Sequence, residues 1–171
     1  MLATGLPSGY TYHMNKELKA FMGIVSASPV LFLIGLTLSF FLYTQFPMSL
    51  FKTAEVINIM SAVGGVMILV GTVLAFAAQK ISRKVSSPDF KATTEGLMQG
   101  PYKYSRHPGS LSLLIMYLGF VFVVNSLVML VVTVALIALL SWYFIPLEER
   151  VISGLAPEAY AEYKKRVRMW L

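Results

Sequence analysis

The chain has 171 residues, 57% of them hydrophobic and 13% charged, with a formal net charge of +6. A soluble domain of this size carries roughly 25% charged residues, so more apolar surface is present than one small aqueous core can bury. There is no cysteine and only two histidines, His13 and His107, which excludes disulfides, thiolate-held metal centres and a catalytic thiol, and leads to the expectation of no metal site.

Residues 1–15 read as a flexible N-terminus, because Gly5, Pro7 and Gly9 break any period. No basic stretch precedes an apolar run there, so no signal peptide is read in it. Residues 16–171 read as a single domain. The first apolar segment is about 20–45, with Pro29 inside it and a kink expected there. The second is about 54–78. Its Ser61/Gly65 and Gly71/Ala75 pairs have the small-xxx-small spacing that lets helices approach closely. A polar stretch, 79–107, follows.

Residues 109–145 then run for 37 positions without a charge. As one helix they would be about 55 Å long, nearly twice a bilayer core. Asn125-Ser126 is the polar pair near their middle, so two spans are predicted, about 109–124 and 127–145, joined by a tight turn. The tail, 146–171, reads as a short helical region broken around Ser153-Gly154 and a second helix from Pro157, which suits a first helical position. On that helix Tyr160, Tyr163, Val167 and Trp170 form an apolar stripe, with Glu158, Glu162 and Lys165 facing away. Arg166 falls at the stripe's edge, able to reach inward. The expected fold is all-α: a polytopic membrane protein with four transmembrane helices and a C-terminal amphipathic cytosolic helix.

Charge placement agrees with four spans. With both termini cytosolic, thirteen of the fourteen Lys and Arg residues lie inside and Lys52 alone lies outside, as the positive-inside rule requires. The basic excess is thereby accounted for, and no nucleic-acid partner is expected.

Two polar segments then share one side of the membrane: the 79–107 loop and the tail. In the loop, Pro108 keeps His107 out of the helix and starts the third span. His107 is thus held at a helix mouth, where free N–H groups favour an anion. In the tail, Glu148 and Glu149 follow Pro146. Each feature has an ordinary reading. A histidine at an interface suits a wet, amphipathic place, and two acids after a proline are common at helix starts.

Taken together, the segments resemble the isoprenylcysteine carboxyl methyltransferase and phospholipid methyltransferase family. GPYKYSRHP stands at 100–108, Glu-Glu at 148–149 and YAEYKKRV at 160–167, in the family's order and around a helical hairpin of its length. The resemblance covers about 94–167. It implies S-adenosylmethionine as cofactor, with S-adenosylhomocysteine as product. It implies a cofactor pocket lined by Tyr104, Arg106, His107 and Pro108, with Glu148 and Glu149 on the ribose or amino group and Tyr160 and Tyr163 packed over it. Arg166 and Glu149 are the residues it places at the reacting centre. Membrane lipids and a lipophilic methyl acceptor are the implied partners. Ser110 and Ser112 stand where the family has Tyr and Gly, Ala156-Pro157 where it has Phe-Gly, and Arg168 where a proline follows. These departures bear on the substrate pocket.

An isoprenylcysteine-type carboxylate acceptor is ionised at pH 7 and needs no base, and Arg166 would clamp it. A phospholipid amine would need one, from His107 or a glutamate; a thiol acceptor also remains open. Two further classes compete: an NADPH-dependent membrane reductase, and a non-enzymatic four-span transporter or scaffold. The predicted span interiors contain no acid, which counts against proton-coupled transport.

Overall fold

A computed structural model describes residues 27–85 and 93–171. The flexible N-terminus expected at 1–15, the start of the first span and the middle of the polar loop lie outside the described residues. Every regular element within them is helical: α1 (Ala27–Gln45), α2 (Ala54–Val85), α3 (Thr94–Leu97), a 3-10 turn (Gly100–Lys103), α4 (Pro108–Val124), α5 (Leu127–Leu139), a π-helical segment (Leu140–Phe144), α6 (Ile145–Leu155) and α7 (Pro157–Arg166).

α2 and α4 lie against each other along most of their length. Glycine permits this approach. A Cβ on Gly64 would sit 2.5 Å from the Gly119 carbonyl, one on Gly119 would sit 2.6 Å from the Gly64 carbonyl, and one on Gly71 would meet Met116 at 2.5 Å. Gly65, expected at the interface, has nothing within 4 Å of its Cβ position. The contact therefore follows a seven-residue step from Gly64 to Gly71, two helical turns on one face. α1 closes the bundle against α4 and α5, with Phe32 edge-on to Tyr117 at 5.6 Å and Ser39 hydrogen-bonded to the Tyr117 hydroxyl. Pro29 sits in the first described turn of α1, and the described helix runs on from it to Gln45.

The turn between α4 and α5 is built by the Asn125-Ser126 pair. Asn125 adopts a left-handed conformation at φ 54°, and its side chain accepts from the N–H groups of Leu50 and Phe51 and donates to the Phe51 carbonyl. Ser126 caps α5 by accepting from the Met129 N–H. The hairpin tip is thus clamped to the loop between α1 and α2.

Helix continues where the tail was expected to begin. The Ile145 N–H bonds to the Leu140 carbonyl, one residue further back than in an α-helix. That wider turn seats Pro146, which lacks an N–H and would crowd the carbonyl four residues back. Glu148 and Glu149 consequently ride on a rigid extension of α5. The break comes at Ala156, after Leu155, and not at Ser153-Gly154.

Two of these helices, Ala54–Lys84 and Leu127–Gly154, are long and apolar enough to cross a membrane. Only 11% and 22% of their most apolar windows are buried, unlike core helices of a soluble protein. Val66, Leu69, Val73 and Phe76 on α2 are each at least 60% exposed. Pro29–Gln45 and Pro108–Val124 are shorter apolar helices.

Candidate active site

At the end of the bundle away from Asn125, the polar loop and the tail meet. The Arg106 N–H donates to the Arg168 carbonyl and the Ser105 hydroxyl to that of Met169, both at 3.0 Å. Thr94 reaches the Ala159 carbonyl, and the Tyr163 hydroxyl donates to the Tyr102 carbonyl at 2.8 Å. Tyr160, Tyr163 and Val167 are buried against Leu97, Met98 and Ile152, so the tail stripe packs on protein. Trp170 lies beyond the end of α7 and is not part of that buried set. Gly100, at φ +51°, makes the turn into Pro101 that a Cβ would strain.

His107 stands at the start of α4, 4% exposed, with Pro108 behind it fully buried. Its Nδ1 lies 3.0 Å from Glu148 Oε2 and its Nε2 3.3 Å from Glu149 Oε1. Glu149 also takes Arg106 at 3.2 Å and Lys164 at 2.7 Å. α4, α6 and α7 each supply part of this network. Burial disfavours the His107 imidazolium, but the hydrogen bonds to Glu148 and Glu149 outweigh it and hold the group above its ordinary 6.5. Burial pushes the Glu149 carboxyl up, and His107, Lys164 and Arg106 together reverse that and bring it down to about 2. Burial and the Glu148 charge push Tyr102 up to about 12. Tyr160 and Tyr163 are raised chiefly by burial, so these phenols are neutral donors at physiological pH.

Of the residues singled out in the sequence, Arg106, His107, Pro108, Glu148, Glu149, Tyr160 and Tyr163 are gathered at this end. Two are turned elsewhere. The Tyr104 side chain is 72% exposed. Arg166 is expected to reach inward, yet its guanidinium pairs with Glu162 one turn back, at 3.0 Å, with the side chain 49% exposed. An i, i+4 partner on its own helix is closer to hand than the network. The basic groups on Glu149 are instead Arg106 and Lys164. Sequence reasoning missed Lys164, although it follows Tyr160 by four residues and so shares that tyrosine's face.

Two buried polar atoms in the described residues have no hydrogen-bond partner, Arg106 Nε and the Tyr160 hydroxyl. Both border Glu149 electrostatically. Buried groups left unpaired in this way are free to bond a water, an ion or a ligand group. The Lys164 ammonium lies 5.9 Å from the Tyr160 ring centroid while paired to Glu149, so carboxylate and aromatic face together accommodate a cation. Acids, an aromatic face and unspent donors together suit a ligand that carries both cationic and hydroxyl groups. No cluster of three or more His, Asp or Glu side chains able to hold a metal occurs among the described residues.

Long apolar helices left bare on their flanks, with a buried ionic network closed over one end, define a helical membrane protein with an enzyme-like site at its polar mouth. The phospholipid methyltransferase family model matches residues 59–155, and the chain belongs to that family. The match takes in α2 from residue 59 on, the loop, the hairpin and the Glu148-Glu149 pair, and stops short of α7. No curated protein and no solved structure matches the chain.

Proposed function

We propose that this membrane methyltransferase transfers a methyl group from S-adenosylmethionine to a membrane-embedded, lipid-like acceptor at the cytosolic end of a four-span bundle, with both termini cytosolic. The observation that carries the reading is the pair of unpartnered buried atoms, Arg106 Nε and the Tyr160 hydroxyl, beside the Glu148–His107–Glu149 network. Glu148 and Glu149 hold the cofactor's ribose or amino group, Tyr160 and Tyr163 cover it, and His107 with the backbone at 104–108 forms the wall. The cofactor, when bound, supplies a methyl group already activated on a sulfonium. The protein's part is then to position the acceptor and exclude water. Lys164, 42% exposed, is the group that yields to a bound cation.

A carboxylate acceptor of the isoprenylcysteine type fits the network best. Hydrogen bonds to Glu148 and Glu149 favour the charged form of His107, and in that form the imidazole takes up no proton from an acceptor. Arg106 lies nearer the network than Arg166 and is the candidate to orient such a carboxylate; Arg166 does so only if released from Glu162. The phospholipid amine reading is favoured by the description of the matched family, and there neutral His107 or a glutamate has to receive the proton.

The test is transfer of labelled methyl from S-adenosylmethionine by detergent-purified protein to prenylcysteine, phosphatidylethanolamine, a hydrophobic thiol and a native lipid extract. His107→Ala and Glu149→Ala should each weaken cofactor binding tenfold or more, about 1.4 kcal/mol. Arg106→Ala should slow transfer more than Arg166→Ala. Unchanged cofactor affinity in both of the first two variants removes the site assignment, and stabilisation by NADPH in place of S-adenosylmethionine moves the protein to the reductases.

A further inference from the structure

The second face of the same helix carries a different chemistry. Across the π-helical segment and into α6, Trp142, Tyr143, Pro146, Leu147 and Arg150 line an open cleft of about 310 Å³. Trp142 and Tyr143 are 82% and 63% exposed. Trp142, Pro146 and Arg150 follow one another at four-residue steps and so share a face. Glu148 and Glu149 point to His107 instead, and the Arg150 guanidinium makes no hydrogen bond or ion pair with any described residue. Toward the bundle's centre the exposed surface of α5 continues through Leu139, Val134 and Val131, which are 41%, 60% and 61% exposed.

This order of groups matches one ligand. Exposed tryptophan and tyrosine sit at the headgroup level of a bilayer. A guanidinium beyond them with no partner among the described residues, on the polar side, is placed for a phosphate, which it binds through a planar fork. The apolar surface leading the other way suits an acyl chain. We infer that this cleft binds an anionic phospholipid, its headgroup phosphate on Arg150, its glycerol region against Trp142 and Tyr143, and its chain along Leu139, Val134 and Val131. The inference rests on the membrane setting of these helices and not on the methyl-transfer reading. The lipid so held lies on a face of α6 neighbouring that of the ionic network, since Arg150 follows Glu149 by one residue, about 100° round the helix.

The chain has two tryptophans, Trp142 and Trp170, so in Trp170→Phe protein the emission comes from Trp142 alone. That protein is reconstituted in nanodiscs of phosphatidylcholine containing a fixed fraction of bromine-labelled phosphatidylglycerol or bromine-labelled phosphatidylcholine, and quenching is compared. The apparent affinity of the quenching site for phosphatidylglycerol should be about fivefold higher than for phosphatidylcholine, the size expected of one basic residue facing an anionic lipid. Adding Arg150→Gln should abolish the preference and leave the thermal midpoint in the same nanodiscs within about 2 °C, which also certifies the variant's fold. Equal quenching by the two lipids in the protein that retains Arg150 overturns the proposal without recourse to the variant. So does a preference that survives Arg150→Gln.

Discussion

Replacing His107 by alanine removes the one side chain that holds both carboxylates of the network. Its two ring nitrogens lie 3.0 Å from Glu148 and 3.3 Å from Glu149, and both donate when the imidazole is charged. Glu149 keeps Arg106 and Lys164, so its loss is partial. Glu148, 19% exposed at its side chain, is left with little water to replace the imidazole. A hydrogen bond to a charged group contributes about 1.5–3 kcal/mol, and removing one partner of a fully buried ion pair costs about 3–5 kcal/mol. With Glu149 compensated and Glu148 partly wet, about 2–4 kcal/mol is expected, a fall in Tm of roughly 5–15 °C for a chain of this length. The dependence on pH separates the ion-pair account from simple loss of packing. Because the carboxylates raise His107 above its ordinary 6.5, its contribution is fully present below 6.5 and is lost as pH rises through the raised folded-state value. The parent's Tm should therefore fall through that window, while His107→Ala shows no such step and the gap between them narrows at alkaline pH. Thermal unfolding in detergent micelles, followed by intrinsic fluorescence from about pH 5 to about pH 10, reads both. A gap under about 2 °C, or one of constant size across the range, refutes the reasoning.

The two buried tyrosines should part company. Tyr160→Phe removes a hydroxyl that has no partner, so Tm should stay within about 2 °C while cofactor affinity drops by about threefold or more, whereas Tyr163→Phe loses the bond to the Tyr102 carbonyl and should cost about 1 kcal/mol in the unliganded protein; isothermal titration and thermal melts distinguish them. Gly119→Ala puts a methyl 2.6 Å from the Gly64 carbonyl and 2.7 Å from Ile68. The Ile68 contact is with its side chain, but the Gly64 carbonyl is backbone and cannot swing aside, so about 1–3 kcal/mol of destabilisation is expected in thermal melts, with Gly65→Ala, which meets nothing within 4 Å, neutral or slightly stabilising. Asn125→Gly keeps the left-handed turn but drops three hydrogen bonds to residues 50 and 51, and faster amide exchange at those positions should follow, with Asn125→Ala more damaging because it also strains the turn.

The helices themselves were legible from hydropathy alone. Long uncharged runs must be helical in lipid, where every backbone polar group needs an internal partner, and the Asn125-Ser126 break was visible because a polar pair interrupts 37 uncharged residues. Pro108 and Pro157 marked two helix starts through a local rule, the missing N–H, and both begin helices in the structure. Proline misled at position 146, where a boundary was expected: a π-turn absorbs the ring, and the helix runs on to Leu155. The glycine spacing pointed to close helix packing but not to the face, since Gly64 and Gly65 are neighbours in sequence and 100° apart on a helix; only the position of α4 chose Gly64.

The gathering of His107, Glu148 and Glu149 was likewise implied by residues whose types and order the chain displays, because backbone topology brings those segments to one end whatever their side chains do. Which cation meets Glu149 was not. Arg166 and Lys164 lie two positions apart on one short helix, and local pattern favoured the former. The fold turned Arg166 onto Glu162 and Lys164 onto Glu149. Periodicity and hydropathy are properties of a segment and survive without its neighbours. The partner of a long, flexible, charged side chain is settled by what packing brings within reach, and that is decided only when α4, α6 and α7 close on one another.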